Sequence, residues 1–224
     1  MTDITRDSRT VSSRLPPITG LLLAVSLLAL PAVSTLVAVT DFTLAPVAVI
    51  AVQWVVAGVV VGVAVGVEGR SLADLGLRRP AWIDGGYLLG ATVLTLGVFL
   101  AAGPVLRTLG LPVESGVATA SMDASLPVAL AGAVTIGIVE ELLFRGYPIE
   151  RLLEYTGSPL LAGGLPWAVF VAAHAPTWSL GNLVSVSLVA ALLTVVYLRR
   201  RTLVPVVGTH VLVWVVAVLG QFYG

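Results

Sequence analysis

The chain has 224 residues, 58% of them hydrophobic and 11% charged, with twelve basic against twelve acidic side chains. That balance excludes a water-soluble globule, and with a formal net charge of zero it argues against nucleic acid as a partner. The absence of cysteine removes disulfides, thiolate metal sites and cysteine nucleophiles together.

The reading is therefore an all-α polytopic transmembrane helix bundle of about seven to eight spans in the lipid bilayer. Residues 1–15 are expected to form a disordered cytoplasmic tail, because MTDITRDSRTVSSR is polar and has no periodicity. Residues 16–224 are expected to form a single transmembrane domain. The first apolar run continues to Val39, longer than a cleavable signal segment, and is read as a spanning helix. A span takes about 20 apolar residues. Seven runs meet that length, at about 18–40, 44–66, 86–106, 126–147, 159–178, 181–198 and 203–222.

Between the second and third runs, Leu72, Leu75, Leu77 and Trp82 fit a short helix lying on the membrane surface, with a plain loop as the alternative. In the fifth run, Gly163, Gly164 and Pro166 are possible helix breaks, and Pro176 is a possible early end. Arginine placement orients the spans. Arg6, Arg9 and Arg14, then Arg70, Arg78 and Arg79, then Arg145 and Arg151, then Arg199, Arg200 and Arg201 all fall on one side if the N-terminus is cytoplasmic. Arg107 alone falls on the other, near Glu114 and Asp123. A multi-pass protein of the cell membrane follows, with the triple arginine as a topology anchor.

The fourth run ends in V-E-E-L-L-F-R-G-Y-P. Ionisable groups within spans cost about 2.5–3.5 kcal/mol each even on the mildest scale, and are therefore rare and usually functional. Here they are Glu140, Glu141 and Arg145, with His174 on the fifth run and His210 on the seventh, the only two histidines in the chain. Glu141 and Arg145 are four apart and face one another as an ion pair. Glu140 is turned about 100° away and has no partner on its own helix. At 1.5 Å per residue, Glu140, His174 and His210 lie about 16, 22 and 14 Å from the cytoplasmic ends of their runs, near Arg151, Pro159 and Arg201, close to the middle of a core about 30 Å thick. Such a set supports two chemistries. It can bind zinc through Glu140, His174 and His210 with a position left for water. Alternatively, Glu140 acts directly as general base towards a water held by the imidazoles, which also stabilise the oxyanion.

These residues resemble the CPBP family of intramembrane proteases, the CAAX prenyl endopeptidase and bacteriocin-processing proteins also called Abi. Glu140-Glu141-Leu142-Leu143-Phe144-Arg145 matches its Glu-Glu-x-x-x-Arg motif, and Phe170-Val-Ala-Ala-His174 matches Phe-x-x-x-His. In the third motif His210 is followed four residues later by Trp214, where the family has asparagine or a similar polar residue. The resemblance covers about residues 126–222. It implies a membrane bundle with a conical cavity, a peptide or protein substrate, including the lipidated C-termini cleaved by eukaryotic members, and peptide processing or bacteriocin immunity in prokaryotes. Carried over, Glu140, His174 and His210 are catalytic, with Glu141, Arg145 and Phe170 supporting them. The rival reading is a non-catalytic immunity or binding protein that has lost the polar residue of the third motif. Asn182, the only asparagine, and Gln221 are the polar groups considered as substitutes; Gln221 lies eleven residues on, about 16 Å along its helix.

Overall fold

The computed structural model describes residues 15–40, 43–113 and 124–224. Arg6, Arg9, Arg14, Glu114 and Asp123, and nearly all of the expected N-terminal tail, lie outside the described residues. Among those described there are helices and no strands: α1 Pro17–Val39, α2 Pro46–Gly66, α3 Trp82–Thr108, α4 Leu126–Glu141, α5 Tyr147–Thr156, α6 Pro159–His174, α7 Leu180–Arg200 and α8 Val204–Tyr223. Proline stands in the first turn of α1, α2, α4, α5, α6 and α8, where its missing N–H has no helical partner to lose.

Six helical stretches are long and apolar enough to cross a membrane, one of them the continuous Leu126–Thr156. The chain is a multi-pass membrane protein. The fifth predicted run is the exception. It forms α6, only 16 residues long, shorter than a full span needs. The possible break at Gly163, Gly164 and Pro166 does not occur, and the helix runs through all three to His174. The chain then turns, with Pro176 just beyond the helix end.

The helices are apolar on most faces, and large residues such as Leu21, Val55, Leu89 and Leu100 point outwards, as lipid-facing helices require. The buried side includes small and hydroxyl residues, among them Ser26, Thr135, Ser185, Thr194 and Thr209. In lipid, helices associate by close packing rather than by expulsion of water, which favours such residues at contacts. Gly137 of α4 is the clearest case. A Cβ there would sit 2.5 Å from Val211 Cγ2 and 2.9 Å from the Val211 backbone nitrogen on α8. Gly137→Ala is therefore expected to destabilise the bundle by about 1–3 kcal/mol through overpacking. Gly132→Ala, on the same helix with nothing within 4 Å of the new carbon, serves as the control. Equal thermal midpoints for both variants in detergent would refute the close-contact argument.

One end of the bundle is closed by a network of charges. Glu150, 6% exposed, accepts from Tyr197 Oη at 2.9 Å and Arg201 Nε at 2.8 Å, and pairs with Arg78 at 3.3 Å. Arg70 pairs with Glu154 at 2.9 Å, and Arg200 with Asp84 at 2.7 Å. Arg201 carries φ 53°, a left-handed conformation that costs a non-glycine residue roughly 1–2 kcal/mol. Its bonds to Glu150 offset that cost, and the same bonds raise its guanidinium pKa above the ordinary value.

The expected surface helix is a 3-10 turn, Leu72–Leu75, capped by Ser71 and Asp74. Leu72, Leu77 and Trp82 are exposed as the sequence suggests, but Leu75 is fully buried in the core. The loop can pack inwards because Gly146 has no side chain: a Cβ there would meet the Leu75 carbonyl oxygen at 2.6 Å.

Candidate active site

The fourth predicted run, 126–147, continues as helix beyond its expected end to Thr156. Helix α4 passes directly into a π-helical turn, Leu142–Gly146, and then into α5. Such turns widen a helix by one residue and are frequent at functional sites. All five residues of this turn are buried. Arg145, 1% exposed, donates from Nη1 to Glu141 Oε1 at 2.9 Å, and its guanidinium lies 4.6 Å from the Phe170 ring centroid. The ion pair expected from the i, i+4 spacing is present, and Glu141 is fully buried with it.

Glu141 has a second partner that the sequence did not reveal. His210 Nδ1 lies 2.8 Å from Glu141 Oε1. A carboxylate can only accept there, so Nδ1 carries the proton and Nε2 carries the lone pair. That lone pair is also engaged: Trp214 Nε1–H donates to His210 Nε2 at 3.0 Å. The residue that breaks the third motif therefore caps the imidazole. His210 is held in one orientation between Glu141 and Trp214. No spacing rule on α4 alone would find this, but His210 and Trp214 are four apart on α8, which was a legible signal.

His174 is set differently. Its Nδ1 lies 2.8 Å from the Phe170 carbonyl oxygen, which fixes the proton on Nδ1 and leaves Nε2 available. The ring stands in an aromatic ladder: Phe170 at 4.7 Å and Trp178 at 4.8 Å between centroids, with Phe144 of the π turn 5.0 Å from Phe170. Phe170, His174 and Trp178 recur every four residues. Sequence reasoning picked out the first two and missed Trp178.

Glu140 takes no part in these bonds. Its side chain is 20% exposed, and Oε2 lies 4.0 Å from His210 Nε2, beyond hydrogen-bond reach. Glu140, Arg145, His174, His210 and Trp214 all face one cavity of about 720 Å³. Asn182, buried on α7, also faces it, and Gln221 stands on the wall near the end of α8. The three helices therefore do converge on one space.

The donor set can be tested against zinc. Among the described residues no three His, Cys, Asp or Glu side chains form a group that could hold a metal ion. A metal also needs the imidazole lone pair, and that of His210 is already accepting from Trp214. As arranged, Glu140 and His174 offer donors and His210 does not, so this set does not fit a His₂Glu centre.

Residues 122–216, which hold both glutamates, Arg145, both histidines and Trp214, match the family described as Type II CAAX prenyl endopeptidase Rce1-like. The match covers less than half of the chain, and over that segment it supports membership of this family. The Rce1-like segment starts just before α4 and ends within α8, so the site lies inside the match except for the α3 wall, Val113 and the last turns of α8 from Ala217. The Rce1-like match supports a membrane-protease type at the level of the family. No curated protein and no solved structure matches the chain.

Proposed function

We propose that the protein is an intramembrane endopeptidase of the CAAX-prenyl-protease type in which Glu140 activates water directly. The observation that carries this reading is the division between the two glutamates. Glu141 is fully buried and bound by Arg145 and His210, while Glu140 borders the cavity and accepts no hydrogen bond among the described residues. A carboxylate already neutralised by an arginine is a poor base; the unpaired one beside it is the better base.

In the proposed step a water lies between the Glu140 carboxylate and His174 Nε2. Glu140 takes one of its protons as the oxygen attacks the scissile carbonyl carbon. The proton then passes to the departing amine as the C–N bond breaks, and Glu140 is regenerated. Arg145 and Asn182 are donors on the same wall that can face the developing oxyanion. Glu141 orients His210, whose Nε2 lies at the cavity under the Trp214 cap.

The test is peptide cleavage by the detergent-purified protein, with and without a strong chelator, alongside metal content by plasma mass spectrometry. Cleavage is expected to survive chelation. Near-stoichiometric zinc that disappears in the His174→Ala, His210→Ala variant, together with loss of cleavage on chelation, would overturn the metal-independent mechanism.

One observation favours a second reading, a non-catalytic immunity or binding protein: the Trp214 cap on His210 occupies a nitrogen that faces the cavity. Trp214→Asn separates the two. Under the protease reading an amide at this position frees His210 and raises the cleavage rate. Under the binding reading the protein cleaves nothing before or after the change, and Glu140→Gln leaves partner binding or protection intact.

A further inference from the structure

The lining of the cavity reaches one end of the bundle only among the described residues. Its deep end is formed by Arg145, Leu193 and Thr209 beside Glu140, and its shallow end by Arg107, Val113 and Gln221. The shallow residues belong to one end of the fold. Arg107 lies in the last turn of α3, and Gln221 near the end of α8. The chain after α3 is tied to the start of α7 by Gly181 N–H and Ser179 Oγ, which both donate to the Pro112 carbonyl, at 3.0 and 2.9 Å.

The opposite end is sealed. The pairs Arg78–Glu150, Arg70–Glu154 and Arg200–Asp84 gather the second loop, the start of α3, α5 and the end of α7 there. Tyr147, Ile149 and Tyr197 beneath them are fully buried. Among the described residues, none of 66–87, 147–158 or 197–206 lines the cavity.

Charge is divided in the same way. The sealed end carries Arg70, Arg78, Arg79, Arg151, Arg199, Arg200 and Arg201, whereas the open end carries Arg107 alone among the described residues. Arginine accumulates on the cytoplasmic side of short loops. The sealed end is then cytoplasmic, and the mouth faces the other way.

We infer that this site is loaded from the extracytoplasmic side of the membrane. Its substrate is therefore a peptide segment displayed on the outer surface, either an exported chain or the outer flank of a membrane protein, and not a cytoplasmic C-terminus. The word peptide rests on the protease reading above; the direction of access does not.

The natural lack of cysteine makes the direction measurable, because each introduced thiol is the only one. Gly103 lines the cavity, and a Cβ added there meets nothing within 4 Å, so Gly103→Cys leaves the packing intact. Arg199 is exposed at the sealed end. Intact spheroplasts expressing Gly103→Cys or Arg199→Cys are treated with a membrane-impermeant maleimide, then compared with lysed samples. Gly103→Cys is expected to label fully before lysis, and Arg199→Cys only after it. Should Gly103→Cys not accumulate in the membrane, Ala217→Cys on the facing helix α8 replaces it. Labelling of Arg199→Cys in intact cells, or of the cavity position only after lysis, overturns the inference. Repeating the labelling in a Glu140→Gln background separates access from catalysis. Outside labelling that persists there, with no peptide cleaved by any variant, would leave the direction of access standing and remove the protease reading alone.

Discussion

Glu140→Gln is expected to lower the rate of peptide cleavage by about 10²–10⁴-fold, the usual contribution of a positioned general base. The loss should fall on kcat, with KM and the thermal midpoint held. Glutamine matches glutamate in size but cannot take a proton from water. Because Glu140 accepts no hydrogen bond among the described residues and borders the cavity, the change breaks no contact that supports the fold. The neighbouring Glu141→Gln is a different experiment. Glu141 joins Arg145 to His210 through one oxygen, so its replacement disturbs two partners and leaves a buried guanidinium unneutralised. Activity lost in Glu140→Gln with stability intact, against stability lost in Glu141→Gln, is the signature of the two roles. An unchanged rate in Glu140→Gln would remove Glu140 from the mechanism.

Arg145→Met is expected to give the largest loss of stability, about 3–5 kcal/mol, because it strands a fully buried carboxylate. Methionine fills similar space and keeps contact with Phe170, so the effect reports charge rather than volume. His210 Nδ1–H still reaches Glu141, which softens the loss without cancelling it. The double variant Glu141→Gln, Arg145→Met removes both charges together and should recover a large part of the deficit. Unfolding midpoints in one detergent read both effects. A single variant as stable as the parent would show that the pair contributes little, and a double variant no better than the single would place the loss in packing instead.

The sequence carried the membrane class because hydropathy is summed over twenty residues and tolerates local error. It carried the Glu141–Arg145 pair because i, i+4 geometry is fixed by the helix itself. The convergence of Glu140, His174 and His210 was legible from depth alone, since helices crossing one slab share one coordinate. Their chemical state was not. Depth places His174 and His210 on a level as equals, yet one imidazole keeps Nε2 available and the other has both nitrogens engaged. A zinc ion bound by both would need the Nε2 lone pair of each, and that of His210 already accepts from Trp214.

Other elements show the same boundary. Gly163, Gly164 and Pro166 looked like a break because each weakens an isolated helix. In the bundle, the missing side chain of Gly163 lets Thr194 and Leu198 of α7 approach, and α6 stays continuous. Leu75 looked like a membrane anchor because its neighbours are leucines; the gap left by Gly146, seventy residues away, draws its loop inwards.

By itself, then, the sequence determined what lies along one helix or follows from one coordinate of depth: the spans, the arginine asymmetry, the ion pair and the identity of the buried ionisable residues. Tertiary structure alone decided which carboxylate is free, which imidazole is capped, and towards which end the cavity opens. Those depend on the rotation of each helix about its axis and on contacts between residues as far apart as Glu141 and His210, and a one-dimensional pattern of hydropathy does not encode either.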